Sequence, residues 1–175
     1  MILEKKKLVL GAAGCKDPEA IKVDIDPVYN PDVIHDLNIT PWPFKDNQFT
    51  EIICHHVIEH LKELAPIIAE LHRICHPDGS IYIEVPHYSS CYAHAPAHKM
   101  YFSYFSLDAY LEEAKKGWMV VGYRFHLISR RVTFHRAFRK YQLHRIINRF
   151  PRSYERFWAY IIPAENIIFK LKPVK

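Results

Sequence analysis

The sequence predicts an α/β fold, a mainly parallel sheet covered by helices. Three observations predict it. Five short apolar runs occupy the first half of the chain. The connections between them are too long for hairpins, and the runs look buried on both faces. Between the fourth and fifth runs the apolar period changes from strand-like to helical.

Leu8-Val9-Leu10 is the first strand and ends at Gly11-Ala12-Ala13-Gly14. The second runs from Ala20 to Ile25 and ends in Asp24 and Asp26. The third, Asp32 to Leu37, carries Asp36 near its end. The fourth is Phe49 to His55, and the fifth is Ser80 to Val85, stopped by Pro86. Val57, Leu61, Leu64, Ile68, Leu71 and Cys75 recur at helical spacing. Pro66 fits only a first turn, so a short helix should end near Lys62 and a longer one start near Ala65. Asp78-Gly79 then predicts a turn into strand five. Ser106 to Lys115 predicts a helix capped by Ser106, with Leu107, Tyr110, Leu111 and Ala114 on one face. Met119 to Ile128 and Glu165 to Leu171 predict late strands. Residues 136–149 look helical without a clean apolar face. Over 153–162, Tyr154, Phe157, Trp158 and Ile161 share a face.

The chain has 175 residues, 49% hydrophobic and 25% charged, which suits one globular domain. The net charge of +5 is unevenly placed. From Lys115 to Tyr154 there is no acid, but Arg124, Arg130, Arg131, Arg136, Arg139, Lys140, Arg145, Arg149 and Arg152 are present. Such a stretch is either a solvated basic face or a surface for an anionic partner. Cys15, Cys54, Cys75 and Cys91 form no C-x-x-C pair, which predicts reduced thiols and a cytoplasmic location. No segment has the apolar length of a signal peptide or a membrane span.

Ligands of parallel sheets bind beyond the carboxyl ends of the strands. Gly11–Gly14, Asp24, Asp36 and the His55-His56 pair all fall there, so they should converge. The glycine loop lets a ligand approach the backbone, but it does not match G-x-G-x-x-G. No room remains for a full helix before strand two, where a pyrophosphate would sit, and this counts against a dinucleotide. A carboxylate ending strand two can accept from two ribose hydroxyls, with Asp24 better placed than Asp26. Asp36 can accept from an adenine amino group. Either acid could instead serve a turn.

These residues resemble the class I S-adenosylmethionine-dependent methyltransferases, especially the small type 11 group. The matching stretches are Leu8-Val-Leu-Gly-Ala-Ala-Gly14, Val23-Asp-Ile-Asp-Pro27, His35-Asp-Leu37 and Pro41-Trp-Pro-Phe-Lys-Asp-Asn-Gln-Phe49. His56-Val-Ile-Glu-His-Leu61, Glu70-Leu-His-Arg73 and His76-Pro-Asp-Gly79 follow. The resemblance is strong over about residues 8–86. It implies a Rossmann-like, mostly parallel sheet with an antiparallel last strand and helices on both faces. Here the helices around strands two and three are trimmed. It also implies a single domain over 1–175, with a core of 7–135 and 164–175 and a basic aromatic helical insertion at about 136–163.

The resemblance implies S-adenosylmethionine as cofactor. The backbone of Gly11, Ala12, Ala13 and Gly14 would hold the methionine part. Asp24 would bind the ribose and Ile25 the adenine face, with Asp36 and Leu37 at the adenine edge and His55 near the methionine end. Ala13 stands where the family usually has a glycine, which narrows the loop.

His87 and His98, in the loop after strand five, are the candidate base or acceptor contacts, although either could simply brace the loop. Tyr88, Tyr101, Phe102, Tyr104 and Phe105 could wall an acceptor pocket or pack as core. His56-x-x-Glu59-His60 is similar to a Glu-x-x-Glu-His arrangement that binds a divalent ion in some RNA and quinone-precursor methyltransferases. His87 would be a fourth ligand. The Glu-His pair also occurs in metal-free relatives, and no metal is assigned. The expected activity is methyl transfer to oxygen or nitrogen of a small-molecule or glycan-like acceptor. The alternatives are an RNA methyltransferase using the basic segment, and a silent cofactor-binding subunit that activates a partner. Nucleic acid is open but not favoured; peripheral membrane contact and a homodimer are also open.

Overall fold

The computed structural model describes residues 6–113, 122–139 and 142–175. Among them are β1 (Lys7–Leu10), β2 (Ala20–Asp24), β3 (Val33–Ile34), β4 (Phe49–His55), β5 (Cys75–Pro86), β6 (Arg124–Val132) and β7 (Asn166–Val174). The helices are α1 (Leu64–Ile74), α2 (Arg136–Arg139), α3 (Leu143–Arg149) and α4 (Pro151–Phe157). The strands form one sheet in the order β3-β2-β1-β4-β5-β7-β6. β1 to β5 pair in parallel, and β7 is antiparallel to both β5 and β6.

The register puts Leu8, Ile21, Ile52, Ile81 and Leu171 in one row across the sheet. With Leu10, Cys54 and Ile83 they share a face, and all but Ile21 are buried. Ile67, Ile68, Leu71 and Ile74 of α1 join the same core cluster. The neighbouring row, Val9, Lys22, Ile53, Tyr82 and Lys170, points the other way. Its polar members show that these strands alternate, rather than being apolar on both faces as expected. The cause is the trimming of the connections. No helix joins β1 to β2, and only a 3-10 turn, Pro27–Tyr29, joins β2 to β3.

Pro66 lies in the first turn of α1, and a 3-10 turn at Ile58–His60 stands where the short helix was expected. β5 starts at Cys75, so Asp78-Gly79 does not form a turn ahead of it. Phe49 pairs with Cys75 and Glu51 with Ser80, so β5 bulges between these pairs. A Cβ on Gly79 would stand 3.0 Å from the carbonyl oxygens of Phe49 and His76, which is why glycine fits there.

The helix expected over 106–115 is only a 3-10 turn, Asp108–Tyr110, and 114–115 lie outside the described residues. The Ser106 hydroxyl accepts from the Ser103 amide instead of capping a helix. Leu111 then bridges to Phe125 of β6. Leu107, Tyr110 and Leu111 are buried all the same. β6 begins five residues later than expected, with 119–121 outside the described residues. Of the expected face in 153–162, only Tyr154 is buried, while Phe157, Trp158 and Ile161 are each more than half exposed. α4 ends at Phe157, so helical spacing does not carry Trp158 and Ile161 inward. No described helix is long and apolar enough to cross a membrane. The four cysteines are free thiols.

Candidate functional site: two cavities at the strand ends

The chain leaves β1 through Gly11, whose φ is +80°. A Cβ there would lie 2.5 Å from Val57 Cγ2, so both backbone and space require glycine. The Ala12 amide donates to Asp24 Oδ2 at 2.8 Å, and the Asp26 amide donates to Asp24 Oδ1 at 3.0 Å. Asp24 therefore stitches the glycine loop to the end of β2. Each of its oxygens keeps a lone pair for a further donor.

Asp36 lies two residues past β3. Its Oδ1 accepts from the Asn38 amide at 2.9 Å and from Asn38 Nδ2 at 2.8 Å. These bonds hold its carboxyl below the usual range. Asn38 Oδ1 accepts from the Lys62 amide, tying this turn to the chain after β4.

Gly11, Ala13, Asp24, Ile25, Asp36, Leu37 and His55 line one cavity of about 410 Å³. Seven of the nine cofactor positions read from the sequence are thus brought together. The other two are not in its wall: Ala12 is buried behind it, and Gly14 turns the loop at φ +77°. Val23, Tyr29, His35, Asn38, Val57, His60 and Leu61 also line the cavity and had been given no cofactor role. Tyr29 had a weak signal, an aromatic in the Asp-Pro turn after β2. Val23, His35, Val57, His60 and Leu61 lay in the family stretches without a cofactor role, and Asn38 carried no signal.

A second cavity of about 440 Å³ is lined by His56, Glu59, His60, Pro86, Tyr92, Ala95, His98, Glu165 and Asn166. His56 and His60 line both cavities. His56 has a left-handed backbone at φ +53°. Its Nδ1 lies 3.1 Å from Oε1 of the buried Glu59, and this bond raises the imidazole above its ordinary value. Glu165 and Asn166 arrive from the far end of the chain through β7. Only pairing reveals them, because Asn166 stands opposite Pro86.

The two histidines singled out after strand five separate here. His98 lines the second cavity. His87 is wholly buried. Its Nε2 donates to Glu155 Oε1 at 3.1 Å, and its Nδ1 meets the Ser89 hydroxyl at 2.8 Å. With no exposure and both ring nitrogens engaged, His87 braces the loop against α4. This corrects its candidacy as a base or acceptor contact, and it also removes His87 as a fourth metal ligand. Phe102 is core as well. Within the basic segment, the Arg124 guanidinium donates to Ala109 O at 2.7 Å. Arg130 pairs with Asp108 and covers the Tyr104 ring. Both are occupied inside the fold.

The family model described as a methyltransferase domain, of type 11, matches residues 16–83. No curated protein matches the sequence. Among solved structures, the chain is similar to an S-adenosylmethionine-dependent methyltransferase from Archaeoglobus fulgidus. The TM-score is 0.64 and the identity 18%, over 95% of this chain and 85% of that one. It is also similar to a putative methyltransferase of Haloferax volcanii in complex with the Trm112 methyltransferase activator. There the TM-score is 0.57 and the identity 14%, over 97% and 83% of the two chains. A putative type 11 methyltransferase from Sulfolobus solfataricus aligns at TM-score 0.53 and 12% identity, over 97% and 85%. Residues 16–83 thus match the methyltransferase-domain model, which implies S-adenosylmethionine as cofactor, and the chain has the fold of S-adenosylmethionine-dependent methyltransferases.

Proposed function

We propose that the chain moves a methyl group to an oxygen or nitrogen of a small-molecule or glycan-like acceptor seated in the second cavity. The observation that carries this is the sharing of His56 and His60 by the two cavities. In this reading Gly11–Gly14, Asp24, Ile25, Asp36, Leu37 and His55 hold the cofactor, as at a sheet edge of this kind. Tyr29 adds an aromatic wall beside Ile25. S-adenosylmethionine supplies an electrophilic methyl group on a sulfonium centre. That methyl would pass to the acceptor's lone pair as the carbon–sulfur pair returned to sulfur. The acceptor's proton passes to His56 Nε2. Glu59 accepts from the other ring nitrogen and fixes the ring for that task. His60 and His98 contact the acceptor. Two exposed or half-exposed free thiols, Cys91 and Cys15, fit a reducing, cytoplasmic setting.

His56→Asn keeps a residue that tolerates the left-handed backbone while removing the base. Its turnover should fall about 100-fold or more, with S-adenosylhomocysteine affinity held within a few-fold. Transfer of labelled methyl from the cofactor into small-molecule and glycan fractions of a cell extract measures this. Undiminished transfer by the variant would remove His56 from the chemistry.

A second surface bears on where the acceptor is met. Ile146, Phe150, Phe157, Trp158 and Ile161 are each more than half exposed. Ile146, Phe150 and Trp158 border one apolar pocket of about 320 Å³. Exposed Arg145, Arg149, Arg152 and Arg156 alternate with these residues. Apolar groups among arginines suit an anionic bilayer surface. The protein should co-sediment with phosphatidylserine-containing vesicles but not with pure phosphatidylcholine ones. Trp158→Ala combined with Phe157→Ala should release it. Salt-sensitive binding to RNA with no vesicle binding would favour the nucleic-acid alternative instead.

A further inference from the structure

We propose that Glu59, His60 and His98 form a site for one divalent transition-metal ion of the zinc type, at the wall of the second cavity. One ligand atom from each of the three lies within 4.8 Å of the others. Ligands about 2 Å from a tetrahedral ion stand about 3.3 Å apart, so small side-chain movements close the set.

Two details point to a ligand, and a third holds the contributing segments together. Glu59 is 1% exposed, and its Oε2 has no hydrogen-bond partner. A buried carboxylate oxygen in that condition is costly and calls for a cation or a donor. Its other oxygen is already bonded to His56. Second, both imidazoles turn the same ring nitrogen, Nδ1, to a backbone carbonyl. His98 Nδ1 lies 3.1 Å from the Ala93 carbonyl oxygen, and His60 Nδ1 lies 3.4 Å from that of Ala97. A carbonyl can only accept, so each Nδ1 carries the proton and each Nε2 keeps its lone pair. Metal-ligating histidines are held in this way. Third, the backbone joins the two contributing segments. The Lys99 and Met100 amides both donate to the Glu59 carbonyl oxygen, at 2.7 and 3.2 Å. The His60 and His98 rings meet edge to face, 4.6 Å between centroids.

Two imidazoles and one carboxylate suit zinc, cobalt(II) or a related ion, and not calcium or magnesium, which take oxygen sets. A neighbouring group, His55, His56 and Glu84, is the weaker candidate. There Glu84 already accepts from the Tyr82 hydroxyl and from Asn166 Nδ2, and His56 Nδ1 is taken by Glu59. With three protein ligands, the ion keeps a coordination position for an exogenous group. Its role rests on the methyl-transfer reading above: an acceptor oxygen held on the ion becomes more acidic, and His56 takes its proton.

The test is calorimetric titration of chelator-treated full-length protein with zinc chloride, and with cobalt chloride followed by visible absorption. One ion per chain is expected, with the d–d bands of a low-coordinate cobalt site. His98→Ala and His60→Ala should each weaken binding by about tenfold or more, with unchanged circular dichroism as the check on folding. Absence of one-to-one binding, or binding that both variants leave unchanged, overturns the site. Calorimetry with S-adenosylhomocysteine on the same samples keeps the two ideas apart. Cofactor binding without metal binding removes the metal site alone. Metal binding without cofactor binding leaves the site and removes the role given to it.

Discussion

Asp24→Ala is expected to weaken S-adenosylhomocysteine binding by about 100-fold or more. The carboxylate does two things at once. It accepts the Ala12 amide at 2.8 Å and so shapes the glycine loop, and it stands in the cavity wall where two ribose hydroxyls would meet it. Hydrogen bonds to a charged group contribute about 1.5–3 kcal/mol each, so losing two costs about 3 kcal/mol or more. That is roughly a hundredfold in affinity. Asp24→Asn should fall between the two. The amide keeps one acceptor, but its NH₂ cannot accept from Ala12 or from a ribose hydroxyl. Calorimetry on the three proteins measures the series. Equal affinity in Asp24→Ala would show that the ribose is held elsewhere.

The second large effect concerns stability. Glu70 is buried on α1, and its carboxylate accepts from the Trp42 amide at 2.7 Å and from Arg73 Nε and Nη2 at 2.8 and 2.7 Å. Arg73 also donates to the carbonyl oxygens of Phe44 and Trp42 and pairs with Asp46. The network clamps the Pro41–Phe49 segment onto α1 and seats the buried Trp42 ring. Arg73→Ala leaves the buried Glu70 carboxylate with the Trp42 amide but no positive partner, which should cost about 3 kcal/mol. Chemical denaturation would read that loss, and the melting temperature should fall by roughly 10 °C for a chain of this size. The pH dependence has a definite sign. Burial pushes the Glu70 carboxyl up, but the Arg73 and Trp42 bonds outweigh it and hold the group below its ordinary 4.5. A depressed carboxylate contributes stability above its unfolded value that is lost as pH falls through the folded one. The melting temperature of the wild type should therefore drop below about pH 4.5. In Glu70→Gln that part of the acid limb should be absent.

The Glu70–Arg73 network also shows how far the sequence could be read. Glu70-Leu-His-Arg73 and Pro41-Trp-Pro-Phe44 were legible as family stretches, but nothing local said that one clamps the other. Their contact is made across 28 to 31 residues. The cofactor side was more legible. Gly11, Asp24, Asp36 and His55 each end or follow a strand, and in a parallel sheet all such ends lie on one edge. Placing the strands therefore places the residues. Where the reading failed, the residues lie after β5. Ser106 to Glu113 has helical spacing, yet Leu111 is drawn away by Phe125. Trp158 and Ile161 lie past the end of α4, and Phe157, its last residue, stays exposed, so the expected face does not turn inward.

By itself, then, the sequence determined the five-strand parallel core and the convergence of Gly11, Asp24, Asp36 and His55 at its strand ends. Those features follow from local apolar patterning and from the backbone needs of Gly11, which neighbouring residues impose. The tertiary structure alone decided which residues line the second cavity. His87 and His98 sit in one loop and look alike as letters. Glu155 on α4 draws His87 into the core, while the Glu59 carbonyl anchors Lys99 and Met100 and leaves His98 beside His60. That division depends on partners 68 and about 40 residues away, and no local pattern encodes such contacts.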